Sequence, residues 1–578
     1  MAGRYEFTAL RLATSRVGFL QRLPASFWIF GLPFLVVLTA GAPLNQAGYV
    51  DPFIYAAYAN DFSSTAKRFG QFYYSSRIAY IIPESVFQNV FGIEIGYRLL
   101  RVVALALASG SAFLIAQRFY SKPAAILVAC WMCLIPWLPL QLYWTHYDGF
   151  GTAYLLAAMM LLTVPIRYRL AMHFAAGFFW LLAINCQVYL LAIGGVFIVP
   201  WVVLNPGRNF AWYAYHAAAV LAGLAFGYLM LAATYASMAP DFDWLGSETL
   251  DMTLSLTGGA GKAYFVSIPE LIALKSWRAI LLPLSLIVVG SLIWRDWVHS
   301  RDPDRKNGDA AFAFVLYGLL TLILSLSLHF YFSLGVLFYP YYTIYLMPAV
   351  TLLLIVAAGK AMAKERDIAL PVFILLALLM ATYWLIGDNG LAFVVSQPAV
   401  LLTAVSVLTL VPVTLPRFFR TVAVVSIVSL TFLLIPNKLA VLDRAVLNRG
   451  KLEWALYESA RQFQNWVNEH VATSQEVLMW HPESDADLYL SSVQSMFLYV
   501  NSRAVWPGKI DYPAITLEGR ERMASTDFVV ILALDTADIW KGINALRSQG
   551  IAVAPMDWFA YPSRSGWHFD AVLLRVMN

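Results

Sequence analysis

Charge is scarce in this sequence: Asp, Glu, Lys and Arg together supply 13% of its 578 residues, while 60% are hydrophobic and 15% aromatic. Soluble domains carry roughly 25% charged residues, so a soluble globular chain is excluded. A nucleic-acid binder is excluded too, because the net charge of +5 is gathered in short loops rather than spread over a basic face. Cysteine is scarcer still. Cys130, Cys133 and Cys186 all fall in apolar stretches, which rules out a disulfide framework and reads Cys130-x-x-Cys133 as small packing residues rather than a redox or metal pair. The absence of any Asn-x-Ser/Thr sequon points toward a bacterial inner membrane rather than a eukaryotic secretory membrane. Walker A, G-x-G-x-x-G, H-E-x-x-H and G-x-S-x-G motifs are also absent, so ATP-driven transport and metalloprotease chemistry have nothing to rest on. No internal repeat of fixed period and no low-complexity segment is present.

What the chain has in quantity is apolar run length. Runs of about 17 residues or more are long enough to cross a bilayer. They occur at 27–45, 99–117, 123–141, 150–166, 170–187, 189–206, 212–235, 278–294, 311–333, 337–358, 368–386, 397–415 and 420–437. This pattern predicts a polytopic α-helical membrane protein of about 13 transmembrane helices. The weakest boundary is Asn185–Gln187, where the turn between two spans has almost no polar residues. Basic residues fall in every second loop: Arg4, Arg11, Arg16 and Arg22, then Arg118 and Lys122, Arg167 and Arg169, Arg208, Arg295 to Lys306, Lys360 to Arg366, and Arg417 with Arg420. The positive-inside rule makes that side cytoplasmic. The N-terminus is then cytoplasmic, and loops 45–92 and 236–277 and the C-terminal segment lie outside. The polar leader before Phe27 and the lack of an A-x-A site favour a retained anchor over a cleaved signal peptide.

Beyond Pro436 the composition changes, and 438–578 reads as a soluble α/β domain, periplasmic in this orientation. Leu452–Val471 and Ala537–Gln549 have helical periodicity; Glu476–Trp480, Phe528–Leu534, Ile551–Pro555 and Asp570–Val576 are strand-like. Trp480, His481 and Trp506 read as core or edge residues.

The chemistry-bearing stretch is Asn45–Gly92, polar and aromatic where its flanks are apolar. A connection that long is functional or disordered, and Tyr55, Tyr58, Phe62, Phe72, Tyr73 and Tyr74 supply enough apolar surface to order it. It is expected to form two short helices at the lipid interface, where Tyr and Trp are enriched. Carboxylates at this face are Asp51, Asp61 and Glu84, with His146 and Asp148 in WTHYDGFG. Ionisable groups there raise a functional hypothesis by default. Asp51 supports two readings: an N-cap with Pro52 at the first helical position, or a base that takes a proton from an acceptor hydroxyl. Asp148 likewise either caps the fourth span or acts on substrate. Asp61 and Glu84 read as solvated carboxylates, Glu84 keeping a place among the substrate contacts by its position.

The motifs GYVDPFIYAAYANDF, YYSSRIAYIIPESVFQNVFG and WTHYDGFGTAYLLAA resemble segments of the GT-C glycosyltransferases, in the branch that is protein-mannosyltransferase-like and aminoarabinose-transferase-like. The layout resembles theirs over nearly the whole chain: one span, a large outer loop with an Asp near its start, many further spans, and an outer soluble domain. The outer domain has no W-W-D-x-G, which argues against the oligosaccharyltransferase branch. One departure concerns HFYFSLGVLFYPYYTIYLMP, which offers His329, Tyr339, Tyr341 and Tyr342 where relatives place an Arg that contacts the lipid phosphate.

The resemblance implies an inverting transfer of a sugar from a polyprenyl-phosphate-linked donor to a glycan, lipid or protein acceptor at the outer face, with Asp51 as general base and Asp148 as a second catalytic carboxylate. Membrane lipids would be the only other partner, and no nucleic acid is implied. The developing phosphate charge needs cations placed in advance. Lys67, Arg68, Arg77, Arg98, Arg101, Lys262, Lys275 and Arg278 are candidates because they break the positive-inside pattern; each also reads as a snorkelling or headgroup contact. Tyr55, Tyr74, Arg77, Glu84, His146, Lys262, Lys275, Arg278, His329 and Tyr342 make up the expected substrate-binding set. No cofactor is implied with certainty, though Asp51 with Asp148 could hold a divalent ion such as Mg or Mn. Two other classes stay open from the sequence: a transporter or lipid flippase, and a membrane-anchored assembly or binding protein.

Overall fold

In the computed structural model, residues 23–38, 51–69, 75–134, 142, 147–164, 169–240, 305–330, 345–362, 459, 462–472, 475, 477–480, 505–507, 526–561 and 569–577 are described. Of the expected spans, 278–294, 368–386, 397–415 and 420–437 lie outside them. Among the described residues four helices are long and apolar enough to cross a membrane: Ile95–Phe119, Arg169–Cys186, Phe210–Met238 and Ala310–Phe330. Shorter apolar helices at Phe27–Val37, Lys122–Cys133, Tyr147–Leu162, Tyr189–Val203 and Met347–Lys360 coincide with five more of the expected spans.

A π-helical turn, Phe27–Gly31, leads into α1 (Leu32–Leu38). Among the described residues the long loop holds three helices where two were expected: α2 (Asp51–Asn60), α3 (Phe62–Phe69) and α4 (Ile78–Phe91). The extra break falls at Asn60-Asp61, two weak helix formers. Asp61 restarts the ladder, its carbonyl accepting from the Thr65 amide at 3.1 Å. At the far end Gly92 has φ +77, the left-handed region that glycine enters without steric cost. It turns the chain sharply from α4 into α5 (Ile93–Phe119). A Cβ on Gly96 would meet the Phe87 carbonyl, so α4 folds directly back along α5.

Helices α6 (Lys122–Leu134), α7 (Tyr147–Leu162), α8 (Arg169–Cys186), α9 (Tyr189–Val196), α10 (Ile198–Val203) and α11 (Phe210–Met238) follow. The break at Gln187 is present, and the expected span 189–206 is two helices meeting at Phe197. Asn209 caps α11, its side-chain oxygen accepting from the Trp212 amide at 2.9 Å. α12 (Arg305–Phe330) and α13 (Met347–Met362) complete the described bundle. α5 packs on α4, α6 and α7; α8 packs between α7 and α11; α13 packs on α6 and α12. One apolar core runs from Trp28 to Ala358 and buries Cys130, Cys133 and Cys186.

The α8–α11 crossing is set by glycine. A Cβ on Gly177 would run into the Val220 carbonyl, and one on Gly223 into the Phe174 carbonyl. Backbone therefore meets backbone, as small residues allow in membrane bundles. Away from this contact α11 exposes Phe210, Tyr215, Leu221 and Leu229.

Near the C-terminus a five-stranded sheet has the order β2-β1-β3-β5-β4. Its strands are β1 (Val477–Trp480), β2 (Val505–Pro507), β3 (Phe528–Ala533), β4 (Val553–Tyr561) and β5 (Phe569–Val576). β1 pairs in parallel with β2 and β3, and β5 pairs antiparallel with β3 and β4. The runs VLMW and FVVILA are buried throughout, as inner parallel strands should be. β4 at the edge carries a bulge at Pro555/Asp557, where proline costs no ladder bond, and it runs well past the expected Ile551–Pro555. Helix α14 (Thr536–Ser548), capped by Asp535, covers one face with Ile539, Ile543 and Leu546. Trp480 is fully buried in this core.

Gly223→Ala is expected to destabilise the bundle by about 1–3 kcal/mol, the usual range for overpacking against atoms that cannot move aside. Thermal unfolding of the detergent-solubilised protein checks this; an unchanged Tm would show that the crossing can spread.

Candidate active site

The site forms where the turn before α4 meets the start of α7 and the end of α8. Arg77 occupies the N-cap position of α4, a place usually held by Ser, Thr, Asp or Asn, and makes no side-chain cap there. Its guanidinium turns inward instead and is 2% exposed. It lies 3.7 Å from the centre of the Tyr147 ring and donates to the Cys186 carbonyl. A desolvated cation over an aromatic face gains about 2 kcal/mol or more, part of the cost of burying the charge.

Rings close the site on the α2 side. Tyr55 meets Tyr80 edge-on at 5.4 Å and Tyr147 at 5.2 Å, and Tyr80 meets Phe150 at 5.0 Å. Asp51 is the first residue of α2, one turn before Tyr55, so the helix begins at the Asp-Pro step that the sequence marks. Further along the loop, Phe62 packs on Tyr235 of α11 at 5.5 Å, and the Ser75 and Tyr235 hydroxyls are 3.3 Å apart.

Asp148 lies in the first turn of α7 and is fully buried. Its Oδ1 accepts from the Tyr345 hydroxyl at 2.8 Å and faces the Gln187 amide at 3.5 Å. The carboxylate thus reaches across to two other segments and is more than a cap. Tyr345 is itself fixed against Tyr189 at 5.7 Å.

Glu84 corrects the reading of it as solvated. It is fully buried, and its Oε1 accepts from Gln88 Nε2 at 2.9 Å. α4 packs on α5, where Tyr97 and Arg101 are buried as well. Burial pushes the Glu84 carboxyl up from 4.5 to about 7; the neighbouring Tyr97 and Tyr80 hydroxyls, Arg101 and Gln88 hold it from rising further. Arg101, with its guanidinium 5.0 Å from the Tyr97 ring, belongs to this second buried group and is no snorkelling surface residue. Asp61 is half-buried.

The structure therefore brings Tyr55, Arg77 and Asp148 to one place and puts Glu84 on the neighbouring face of α4. His329 is buried at the end of α12, edge-on to Phe330 at 4.8 Å. Tyr74, His146, Lys262, Lys275, Arg278 and Tyr342 lie outside the described residues, as do the side chains of Asp51, Lys67 and Arg68. Tyr147, Asn185, Gln187 and Tyr345 escaped the sequence reading. Tyr345 is hidden in a run of five nearby tyrosines, and the polar turn Asn185–Gln187 registers only as a weak boundary between spans. Among the described residues no three His, Cys, Asp or Glu side chains converge on a metal position.

No protein-family model and no curated protein matches the sequence. Solved structures do, and at 11–12% identity the likeness is one of fold. The particular likeness is to ArnT from Cupriavidus metallidurans. Its crystal structure bound to undecaprenyl phosphate superposes with a TM-score of 0.56 at 12% identity, over 95% of this chain and 98% of that one. The apo structure gives 0.51 at 11% identity, over 99% of this chain and 98% of that one. A third likeness, to the mycobacterial arabinofuranosyltransferase AftD, has a TM-score of 0.49 at 11% identity over 96% of this chain and 42% of that one, too weak to establish a shared fold.

The Glu84 shift makes stability pH-dependent with a defined sign. A carboxyl whose folded value is raised binds more protons in the folded state between 4.5 and about 7, so stability falls as pH rises through that window, by about 3 kcal/mol in all. Glu84→Gln is expected to remove this slope. Tm measured from pH 4.5 to 8 checks it, and parallel curves for the two proteins would refute it.

Proposed function

We propose that the chain is an integral-membrane glycosyltransferase that moves a sugar from a polyprenyl-phosphate-linked donor to an acceptor at the outer face of a bacterial inner membrane. The observation that carries this reading is Arg77, a guanidinium buried among rings where the first long loop meets the bundle. A charge held in such a place is costly and by default marks function. In a fold shared with a protein crystallised with undecaprenyl phosphate, the ligand such a cation suits is the lipid phosphate.

The chemistry follows from what each group can do. The acceptor hydroxyl attacks the anomeric carbon, forming the new C–O bond while the bond from that carbon to the phosphate oxygen breaks. Asp51 takes the hydroxyl proton, and the sugar carbon inverts. The helical period puts position 51 on the same face of α2 as Tyr55, the face packed against the rings around Arg77. Charge developing on the departing polyprenyl phosphate is met by Arg77, whose fixed place avoids reorganisation during the reaction. Asp148 orients Tyr345 and Gln187 along the same wall. If a divalent ion takes part, Asp148 is the described carboxylate available to it, and the ion would add positive charge beside the phosphate.

Tyr74, His146, Lys262, Lys275, Arg278, His329 and Tyr342 are assigned to donor and acceptor binding from the sequence, Lys262, Lys275 and Arg278 because they break the positive-inside pattern. The C-terminal domain is assigned to the same outer side. The supporting test is transfer by purified protein in lipid bilayers from polyprenyl-phosphate sugars. Asp51→Asn is expected to lower the rate by about 10²–10⁴-fold, the usual contribution of general base catalysis. Arg77→Ala is expected to lower it by about 10²–10³-fold, as for loss of one charge-stabilising donor. Full activity in Asp51→Asn would return Asp51 to helix capping, and no transfer by the native chain with any such donor would sink the reading.

A further inference from the structure

Helix α4 starts without the usual means of starting. Its N-cap is an arginine that contributes no side-chain cap; the Ile78 and Tyr80 amides reach the Ser76 and Arg77 carbonyls, which leaves the Ala79 amide to find its acceptor elsewhere. Its second helical turn has the opposite defect. Pro83 has no amide proton, which leaves the carbonyl four residues earlier, that of Ala79, without a helical donor. Both gaps fall within the segment that carries Arg77, and both are filled from other helices.

Asn185, near the end of α8, fills the first. Its Oδ1 accepts from the Ala79 amide at 2.8 Å, and its Nδ2 donates to the Ser76 carbonyl at 2.9 Å. One carboxamide thus spans the turn, holding the residues on both sides of Arg77. Tyr154 of α7 fills the second, donating its hydroxyl to the Ala79 carbonyl at 3.1 Å. Asn185 is 6% exposed and Tyr154 9% exposed, so water cannot readily substitute for either. Close packing makes the arrangement possible: a Cβ on Gly151 of α7 would lie 2.6 Å from Leu190 and 3.0 Å from the Cys186 side chain. The next residue along, Cys186, offers its carbonyl to Arg77 itself.

We infer that Asn185 is a positioning residue for Arg77: a cap supplied in trans that frees position 77 to carry a phosphate-binding cation in place of a capping side chain. The inference rests on the proposed glycosyltransferase reading for its effect on rate, and on hydrogen bonding alone for its effect on the turn. Asn185→Ala removes both bonds; Tyr154→Phe removes the third and leaves Asn185 in place.

The experiment measures two things on the purified full-length chain in lipid nanodiscs. The first is peptide-resolved hydrogen exchange over residues 75–82, which requires no activity. Asn185→Ala is expected to speed exchange there by at least about tenfold while leaving α5 and α11 unchanged; native-like protection of that peptide overturns the clamp. The second is sugar transfer. Asn185→Ala is expected to lower kcat by about 10- to 100-fold with acceptor KM unchanged, the cost of a misplacement of about 1 Å. In an Arg77→Lys background it should cost less than about threefold, because the residue to be positioned is already altered. Losses that simply multiply would overturn the inference in favour of a general structural role. If Asn185→Ala does not fold, Tyr154→Phe carries the same two readouts with a smaller effect in the same direction, and native values in both would overturn it. Native protein that shows the exchange difference but transfers no sugar would defeat the proposed function and leave the clamp standing.

Discussion

The turn Ser75–Ala79 is held by hydrogen bonds that its own helix cannot make. Asn185 takes one amide and one carbonyl, Tyr154 takes another carbonyl, and the Cys186 carbonyl takes the guanidinium. A loop inserted between two membrane spans is thereby tied to the ends of α7 and α8, and the rest of the site inherits its geometry from that tie. Tyr147 is beneath Arg77 because α7 starts there. Tyr55 is against Tyr147 and Tyr80 because α2 packs on α4. The bonds contribute modestly one by one; their value is that a buried polar turn has no acceptable alternative partners.

Two charged groups are buried beside each other in sequence and are accommodated differently. Arg77 stays an arginine at any ordinary pH and is accommodated by a ring face and a carbonyl. Glu84, seven residues on, is accommodated in part by giving up its charge, its carboxyl rising to about 7 through burial. The first arrangement suits a fixed positive charge. The second suits a group that ties α4 to α5 and whose charge would be a burden to the fold.

Much of the fold was legible because helix length and apolar run length are set by bilayer thickness. Runs 99–117, 170–187, 212–235 and 311–333 correspond to helices of membrane-crossing length, and the strands in 477–576 appear where hydrophobic runs end at polar turns. The Asp51-Pro52 step was legible as a helix start because proline fixes its backbone angle locally. The site was legible only in part. Tyr55, Arg77 and Asp148 stood out as polar or aromatic residues in an apolar setting, but nothing local tells a solvated Glu84 from a buried one, since its burial depends on the packing of α4 against α5. Asn185 was hidden for the converse reason. Its partners are more than a hundred residues away in the chain, and a single amide in an apolar run reads as a turn.

The contact between α8 and α11 has a mechanical consequence. With Gly177 and Gly223 each facing a carbonyl of the other helix at a distance no side chain would fit, the two cannot slide or roll past one another without collision. They form a single stiff vane. α8 carries Asn185 and Cys186 at one end, while α11 presents its apolar outer side along most of its length. Any sideways parting of the bundle must therefore run along another seam, or else swing both helices together and take the anchor of Arg77 with them.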